Sequence, residues 1–221
     1  MKHNIVVVTN RKICVKAHPE YCSMDVCKMY ADKIASDTAQ KNASCDEEAI
    51  NECASLLVQL EKIVKRDDIA FVILREKDLQ KDVYMSLYSL AYNICKDAGV
   101  RLNAHSFIGA VKLRQGIHLS MPALREYDNA LNGIEYGASI HSVEEAVEAQ
   151  RLGARYIIAG NIYETECKAG LPGRGLEFLS KVCGSVNIPV YAIGGIDMTR
   201  IDEIEDAGAA GGCMMSGMMR L

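Results

Sequence analysis

Apolar runs alternate with amphipathic segments along this chain of 221 residues. Residues 4–8 and 69–74 are short, continuous and rich in β-branched side chains, which is typical of strands covered on both faces. Between them, residues 46–65 carry apolar side chains three and four positions apart, with Asp46 placed to cap the first turn. The pattern therefore predicts buried parallel strands separated by helices.

The same alternation continues to the end of the chain. Ser142 and Glu145 form a capping-box pattern at the start of one predicted helix, and Gly99 and Gly153 stand where two helices should end. The other predicted strands are residues 100–103, 116–119, 134–139, 156–159, 190–193 and 211–215, and the other predicted helices are residues 82–98, 107–112, 122–131, 143–152, 176–183 and 200–207.

Eight strands that alternate with helices predict an α/β fold, a (β/α)8 TIM barrel, as a single domain over residues 1–221. Residues 13–44 contain helix-like pieces without clear periodicity, and we interpret them as an elaboration of the first strand–helix connection. The chain ends soon after residue 215, so the last helix is predicted to be truncated or missing. A barrel without that helix exposes an apolar stripe, and homodimerisation is one remedy.

Composition and charge exclude several classes of protein. The formal net charge is −4, and basic residues are interspersed with acidic ones, so no basic block indicates nucleic-acid binding. No apolar run approaches the ~20 residues of a membrane span, and we expect a cytoplasmic location. The nine cysteines form no CxxC pair and match no zinc spacing, so reduced thiols and no metal site are predicted.

Candidate chemistry lies where the predicted strands end. Glycine-rich turns follow two of them, at Gly194-Gly195 and at Met215-Ser216-Gly217, and such turns bind phosphate or simply permit tight connections. A long loop at residues 161–175 carries Thr165 and Lys168 and is predicted to be a lid.

His141 follows the predicted fifth strand. An imidazole titrates near neutral pH and is suited to moving a proton between two sites, although a single histidine is often only a surface or core residue.

Five segments together resemble the thiamine-phosphate synthase/TenI superfamily of (β/α)8 barrels. They are LREKDL at 74–79, SIHSVEEA at 139–146, GNIYETECKAGLPGRGLEFL at 160–179, IPVYAIGGI at 188–196 and MSG at 215–217. The resemblance implies that His141 is the acid/base residue. The substrate-binding residues that it implies are Arg75, Lys77, Asn103, Ser139, Thr165, Lys168, Gly194, Gly195, Met215, Ser216 and Gly217.

The resemblance leaves three functions open. In the synthase, two aspartates hold magnesium. Here the matching positions read Asn103-Ala104 and HLSMPA from His118, and Ile73 stands at a glutamine position. Our main hypothesis is therefore thiazole tautomerase, an isomerase without cofactor that aromatises a carboxythiazole phosphate. The first alternative is thiamine-phosphate synthase with other metal ligands, such as Asp128 or Asp78. The second is a barrel that binds thiazole or thiamine phosphate without catalysis.

Overall fold

The computed structural model describes residues 3–40, 46–106, 116–127, 131, 133–165 and 170–221. Its strands are β1 (Ile5–Val8), β2 (Ile69–Leu74), β3 (Arg101–His105), β4 (Gly116–Ser120), β5 (Tyr136–Ile140), β6 (Tyr156–Gly160), β7 (Val190–Ile193) and β8 (Gly211–Met214). Their hydrogen-bonded order, β1 to β8, closes into a barrel. The predicted (β/α)8 fold is confirmed.

The helices within the described residues occupy the segments between these strands. They are α1 (Arg11–Ala17), α2 (Asp25–Gln40), α3 (Glu47–Ile63), α4 (Lys81–Asp97), α5 (Met121–Tyr127), α6 (Val143–Arg151), α7 (Gly175–Ser185), α8 (Ile201–Asp206) and α9 (Ser216–Met219). None of them combines the length and the apolar character that a membrane crossing requires.

The chain divides into two compact units. Unit one comprises Met1–Val6 and Asn103–Met214, and unit two comprises Val7–Leu102 and Met215–Leu221. In unit one, strands β3 to β8 pair in sequence order and in parallel, with His118 opposite Gly137 and Ser120 opposite Ser139. Every residue of β6 is buried, as its continuous apolar run predicts.

Local signals in unit one explain how its helices begin and end. The Ser142 hydroxyl accepts a hydrogen bond from the Glu145 backbone N–H at 3.1 Å, which caps α6 as the capping-box pattern predicts. Gly153 ends that helix with a φ of 97°, a conformation that glycine adopts without steric cost. His141 immediately precedes this cap.

Unit two contains β2 and a layer of helices around α3, which packs against α1, α2 and α4. Leu56, Leu57 and Leu60 of α3 are fully buried. Residues 13–40 fold into the end of α1, a 3₁₀ turn at Pro19–Ser23 and α2. The chain ends in α9, a helix of only four residues, as the sequence predicts, and its Met218 carbonyl accepts a bond from the Gln59 amide at 2.7 Å.

Some predicted boundaries differ from the structure. The fifth strand is β5 at residues 136–140 instead of 134–139, so His141 follows the strand directly. The helix predicted at 200–207 is a 3₁₀ turn, Met198–Arg200, followed by α8, because Asp197 caps the backbone N–H of Thr199 and starts the turn early. The helix predicted at 107–112 lies outside the described residues.

Candidate functional site

His141 stands at the carboxyl end of β5 in unit one and is exposed. Its Nδ1 lies 2.8 Å from the carbonyl oxygen of Gly160, at the end of β6. A carbonyl oxygen only accepts hydrogen bonds, so Nδ1 carries the proton of the neutral imidazole and Nε2 keeps its lone pair. The backbone N–H of His141 donates to Glu145 at 2.6 Å, which ties the residue to the capped start of α6.

Ser139 lies two residues before His141 and ends a row of four polar side chains within unit one, which we call the polar chain. The amide nitrogen of Asn103 donates to the Tyr156 hydroxyl at 2.9 Å, and that oxygen lies 3.1 Å from His118 Nδ1. His118 Nε2 lies 2.8 Å from the Ser139 hydroxyl. The polar chain thus runs from β3 through β6 and β4 to β5.

Two strand glycines make room for the polar chain. A Cβ atom on Gly137 would lie 2.2 Å from the ring of Tyr156, and one on Gly116 would lie 2.1 Å from the amide oxygen of Asn103. Glycine inside a strand often marks the close approach of another group, and here that group is a polar side chain. Any larger residue at position 137 would therefore displace Tyr156 from His118.

His118 is electrically neutral in this environment. It is 2% exposed, and burial, followed by the nearby His105, lowers its pKa to about 3. The two histidine rings lie 5.9 Å apart. Desolvation disfavours the charged imidazolium because a buried charge loses its interaction with water. At physiological pH, His118 therefore has one N–H to donate and one nitrogen that accepts.

The glycine turn after β7 packs against the start of the loop after β6. Gly194 and Gly195 have φ values of 102° and 65°. The Gly194 carbonyl accepts from the Tyr163 backbone N–H at 3.0 Å, and the Gly195 carbonyl accepts from Arg200 at 2.6 Å. Both carbonyl oxygens are therefore already hydrogen-bonded within the protein. Among the described residues, the Gly195 backbone N–H donates to no backbone carbonyl. Such an N–H is suited to an anion.

The predicted lid is closed at its base. The backbone N–H of Arg174 donates to the Asn161 carbonyl at 3.0 Å, and that of Gly175 donates to the Ile162 carbonyl at 2.9 Å. Thr165 is half-buried within the loop. Lys168 lies outside the described residues, so its predicted role stays a prediction.

In unit two, the predicted residues Arg75 and Lys77 follow β2 on either side of Glu76. The Arg75 backbone N–H donates to the Thr9 hydroxyl at 2.9 Å, and that hydroxyl donates to Glu76 at 2.7 Å. Lys77 is exposed, and partial burial together with Arg75 lowers its pKa. The carboxylate of Glu76 is therefore buried, while the Lys77 side chain faces solvent.

Arg11 organises the acidic side chains of this region. It is 4% exposed, and its guanidinium contacts Glu76 at 3.1 Å, Asp78 at 2.7 Å and Glu52 at 2.8 Å. Burial disfavours its charge, but the hydrogen bonds that Arg11 donates to Asp78 and Glu76 raise the pKa of Arg11. Bonds from Arg11 and Lys12 hold the pKa of Asp78 well below its usual range. These charges are structural partners of one another.

The remaining predicted phosphate residues also belong to unit two. Met215 precedes α9, and Ser216 and Gly217 form its first turn. The sulfur of Met215 lies 3.9 Å from the Asn10 amide nitrogen. The structure thus places Gly194 and Gly195 with Ser139, His141, Asn103 and Thr165 in unit one, and Arg75, Lys77, Met215, Ser216 and Gly217 in unit two.

The part of the chain that the structure describes offers one cluster of side chains able to share a metal ion. It consists of His3, Asp202 and Glu205. His3 precedes β1, and the two carboxylates are on α8, so this group lies away from the carboxyl ends of the strands. Asp78 is held by Arg11 and Lys12, and Asp128 lies outside the described residues.

Tyr156 and His118 are the residues that sequence reasoning did not select. The alternation of Ile117, His118 and Leu119 reads as an ordinary buried strand. The available signal was a glycine inside each of two neighbouring strands, at Gly116 and Gly137, because such glycines indicate close approach.

Comparison with known proteins gives consistent results. A family model described as thiamine monophosphate synthase, TMP-TENI, matches residues 45–218. The thiamine-phosphate synthase of Fusobacterium nucleatum is 34% identical over 157 residues, which cover 68% of this chain and 76% of that protein. The thiamine-phosphate synthase of Syntrophomonas wolfei is 33% identical over 171 residues, which cover 75% and 81%.

A solved structure has the same fold. Thiamine phosphate pyrophosphorylase from Pyrococcus furiosus superposes with a TM-score of 0.71 at 20% identity, and the match covers 100% of this chain and 89% of that one. At this identity the likeness shows the fold alone.

Proposed function

The chain belongs to the thiamine monophosphate synthase/TenI family, and we propose that it is an enzyme of thiamine biosynthesis that acts on a thiazole phosphate. We further propose that its reaction is the aromatisation of a carboxythiazole phosphate by proton transfer. The observation that carries this proposal is the bond between His141 Nδ1 and the Gly160 carbonyl, which leaves Nε2 as the basic nitrogen.

The proposed reaction needs only one group that accepts and returns a proton. His141 Nε2 takes a proton from a carbon of the non-aromatic ring, and the C–H electron pair enters the ring system. The imidazolium then returns a proton at the other end of the conjugated system. The product is the aromatic tautomer, with no change in oxidation state and no leaving group.

Residues around His141 support binding of an anionic substrate. The turn at Gly194 and Gly195 has its carbonyls bound away and offers a backbone N–H to the substrate phosphate. Ser139, two residues before His141, supplies a hydroxyl at the end of the same strand. The lid from the loop after β6 would exclude water while the proton is transferred.

Thiamine-phosphate synthase is the second candidate, and the names of the relatives favour it over the tautomerase. That reaction joins a pyrimidine diphosphate to a thiazole phosphate, and the resemblance implies magnesium at two aspartates. Magnesium prefers carboxylate oxygens. The matching positions hold Asn103-Ala104 and the segment HLSMPA from His118, none of which is an aspartate. Asn103 is buried in the polar chain, and Asp78 is paired with Arg11. This set of side chains does not fit magnesium.

Two assays on the purified chain separate the candidates. The first follows the absorbance of carboxythiazole phosphate as it becomes aromatic, in excess chelator. The second measures diphosphate release from the pyrimidine diphosphate and thiazole phosphate, with and without magnesium. Turnover in the first assay alone supports the tautomerase. Magnesium-dependent release without tautomerisation establishes the synthase instead, and binding of the thiazole phosphate without turnover in either assay contradicts both enzymatic proposals.

A further inference from the structure

The polar chain is not explained by an acid/base role of His141. Asn103, Tyr156 and His118 are buried, and burying polar groups costs free energy unless they are hydrogen-bonded. Gly116 and Gly137 leave the space that these side chains occupy. A core of apolar residues would fill the same space without polar groups, so the polar chain requires a functional explanation.

The orientation of the Asn103 amide determines which groups donate and which accept along the polar chain. The amide nitrogen of Asn103 donates to Tyr156. The amide oxygen lies where a Cβ of Gly116 would stand, against the Cα hydrogens of that glycine, which are weak donors. If the amide were turned so that its NH2 group lay in that place, the NH2 hydrogens would repel the Cα hydrogens of Gly116. The Tyr156 oxygen therefore accepts from Asn103, and its own hydrogen is available to His118 Nδ1 at 3.1 Å.

Neutral His118 transmits this direction to Ser139. If Nδ1 accepts from Tyr156, the single N–H of the imidazole is on Nε2, and it donates to the Ser139 hydroxyl oxygen at 2.8 Å. The Ser139 oxygen then has an acceptor site filled, and its hydrogen must go to another acceptor. Ser139 lies in β5, and His141 directly follows that strand, so the two residues are close to one another along the chain.

We propose that Tyr156 and His118 are positioning residues that hold Ser139 as a hydrogen-bond donor to an anionic oxygen of the substrate. The identity of that oxygen, in the carboxylate or the phosphate of the thiazole, rests on the proposed function. The direction of the polar chain does not, because it follows from the unliganded protein.

The first experiment determines the tautomer of His118 in the wild-type protein by ¹⁵N NMR of its imidazole. The proposal predicts a proton on Nε2 and a bare Nδ1. In Tyr156→Phe, which removes the donor to Nδ1, the Nδ1 resonance should shift while the Ser139 contact remains. A proton on Nδ1 of the wild type overturns the proposal, whatever reaction the enzyme catalyses.

The second experiment asks whether His118 acts through Ser139. Ser139→Ala should weaken kcat/KM about tenfold, since it removes one hydrogen bond to an anion. His118→Leu should cause a similar loss, and His118→Gln, which keeps a donor near the Nε2 position, should restore most of it. The double variant His118→Leu with Ser139→Ala should be no worse than Ser139→Ala alone.

Other outcomes of this cycle contradict the proposal. Losses that multiply in the double variant would show that His118 supports the fold independently of Ser139. Failure of His118→Gln to restore activity, in a protein of wild-type stability, would show the same. If the wild type has no tautomerase turnover, the proposed function fails, and the cycle is repeated on the dissociation constant of carboxythiazole phosphate, with inorganic phosphate as the second probe.

Discussion

Acid should destabilise the fold through His118. Its pKa is lowered to about 3 from 6.5 in the unfolded chain, so the unfolded chain binds this proton first as the pH falls. The stabilising contribution is therefore complete above about pH 6.5 and is lost progressively toward about pH 3. Between about pH 7 and about pH 4.5, this residue alone should reduce the free energy of unfolding by an amount on the order of 2–3 kcal/mol.

Urea unfolding monitored by circular dichroism at the two pH values measures this loss in the free energy of unfolding. His118→Gln lacks the titrating group, so its free energy of unfolding should fall less than that of the wild type over the same pH interval, by an amount on the order of 2–3 kcal/mol. His141→Gln is the matched control, because it removes an exposed histidine and retains the buried one. Equal acid dependence of wild type and His118→Gln would refute the neutral, buried state of His118.

Two further substitutions test packing and charge. Gly137→Ala should destabilise the protein by about 1–3 kcal/mol in thermal or urea unfolding, because its Cβ would lie 2.2 Å from the Tyr156 ring. Arg11→Met should cost about 3–5 kcal/mol in the same assay, because it leaves Glu76 buried without its cation.

Each of these substitutions has a control. Gly184→Ala, in α7, meets no atom within 4 Å and should stabilise the protein by about 0.5–1 kcal/mol through helix propensity. A destabilisation equal to that of Gly137→Ala would show that the clash with Tyr156 is not the cause. Lys12→Ala removes an exposed partner of Asp78 and should change stability little, and a loss as large as that of Arg11→Met would contradict the buried ion pair as the cause.

The fold was predictable because its signals are local and repeated. Continuous apolar strands, Asp46 and Ser142 as caps, and Gly99 and Gly153 as helix ends all agree with the structure. Residues 13–44 show no clear period in the sequence because the buried side of α2 is narrow and is formed by Cys27, Tyr30, Ile34 and Thr38, two of which are small or polar. Its exposed side carries charges that obscure the apolar period.

The candidate site was predictable only in part. His141 and the glycines of the β7 turn follow strand ends in the sequence, and the structure places them there. The polar chain was not predicted, because its bonds join β3, β4, β5 and β6, and pairings across strands leave no local pattern. The sequence gives opposing indications about the reaction: the missing aspartates favour a tautomerase, whereas the relatives are named thiamine-phosphate synthase.

Chemical rescue of His141→Ala tests whether the imidazole of His141 transfers the proton. The tautomerisation of carboxythiazole phosphate is measured by absorbance in excess chelator, for the wild type, for His141→Ala and for the control His3→Ala. We expect wild-type turnover in the control, a loss of about 10²–10⁴-fold in His141→Ala, and partial recovery of that variant with added imidazole. Wild-type turnover in His141→Ala, or no turnover in folded wild-type protein, would contradict this expectation.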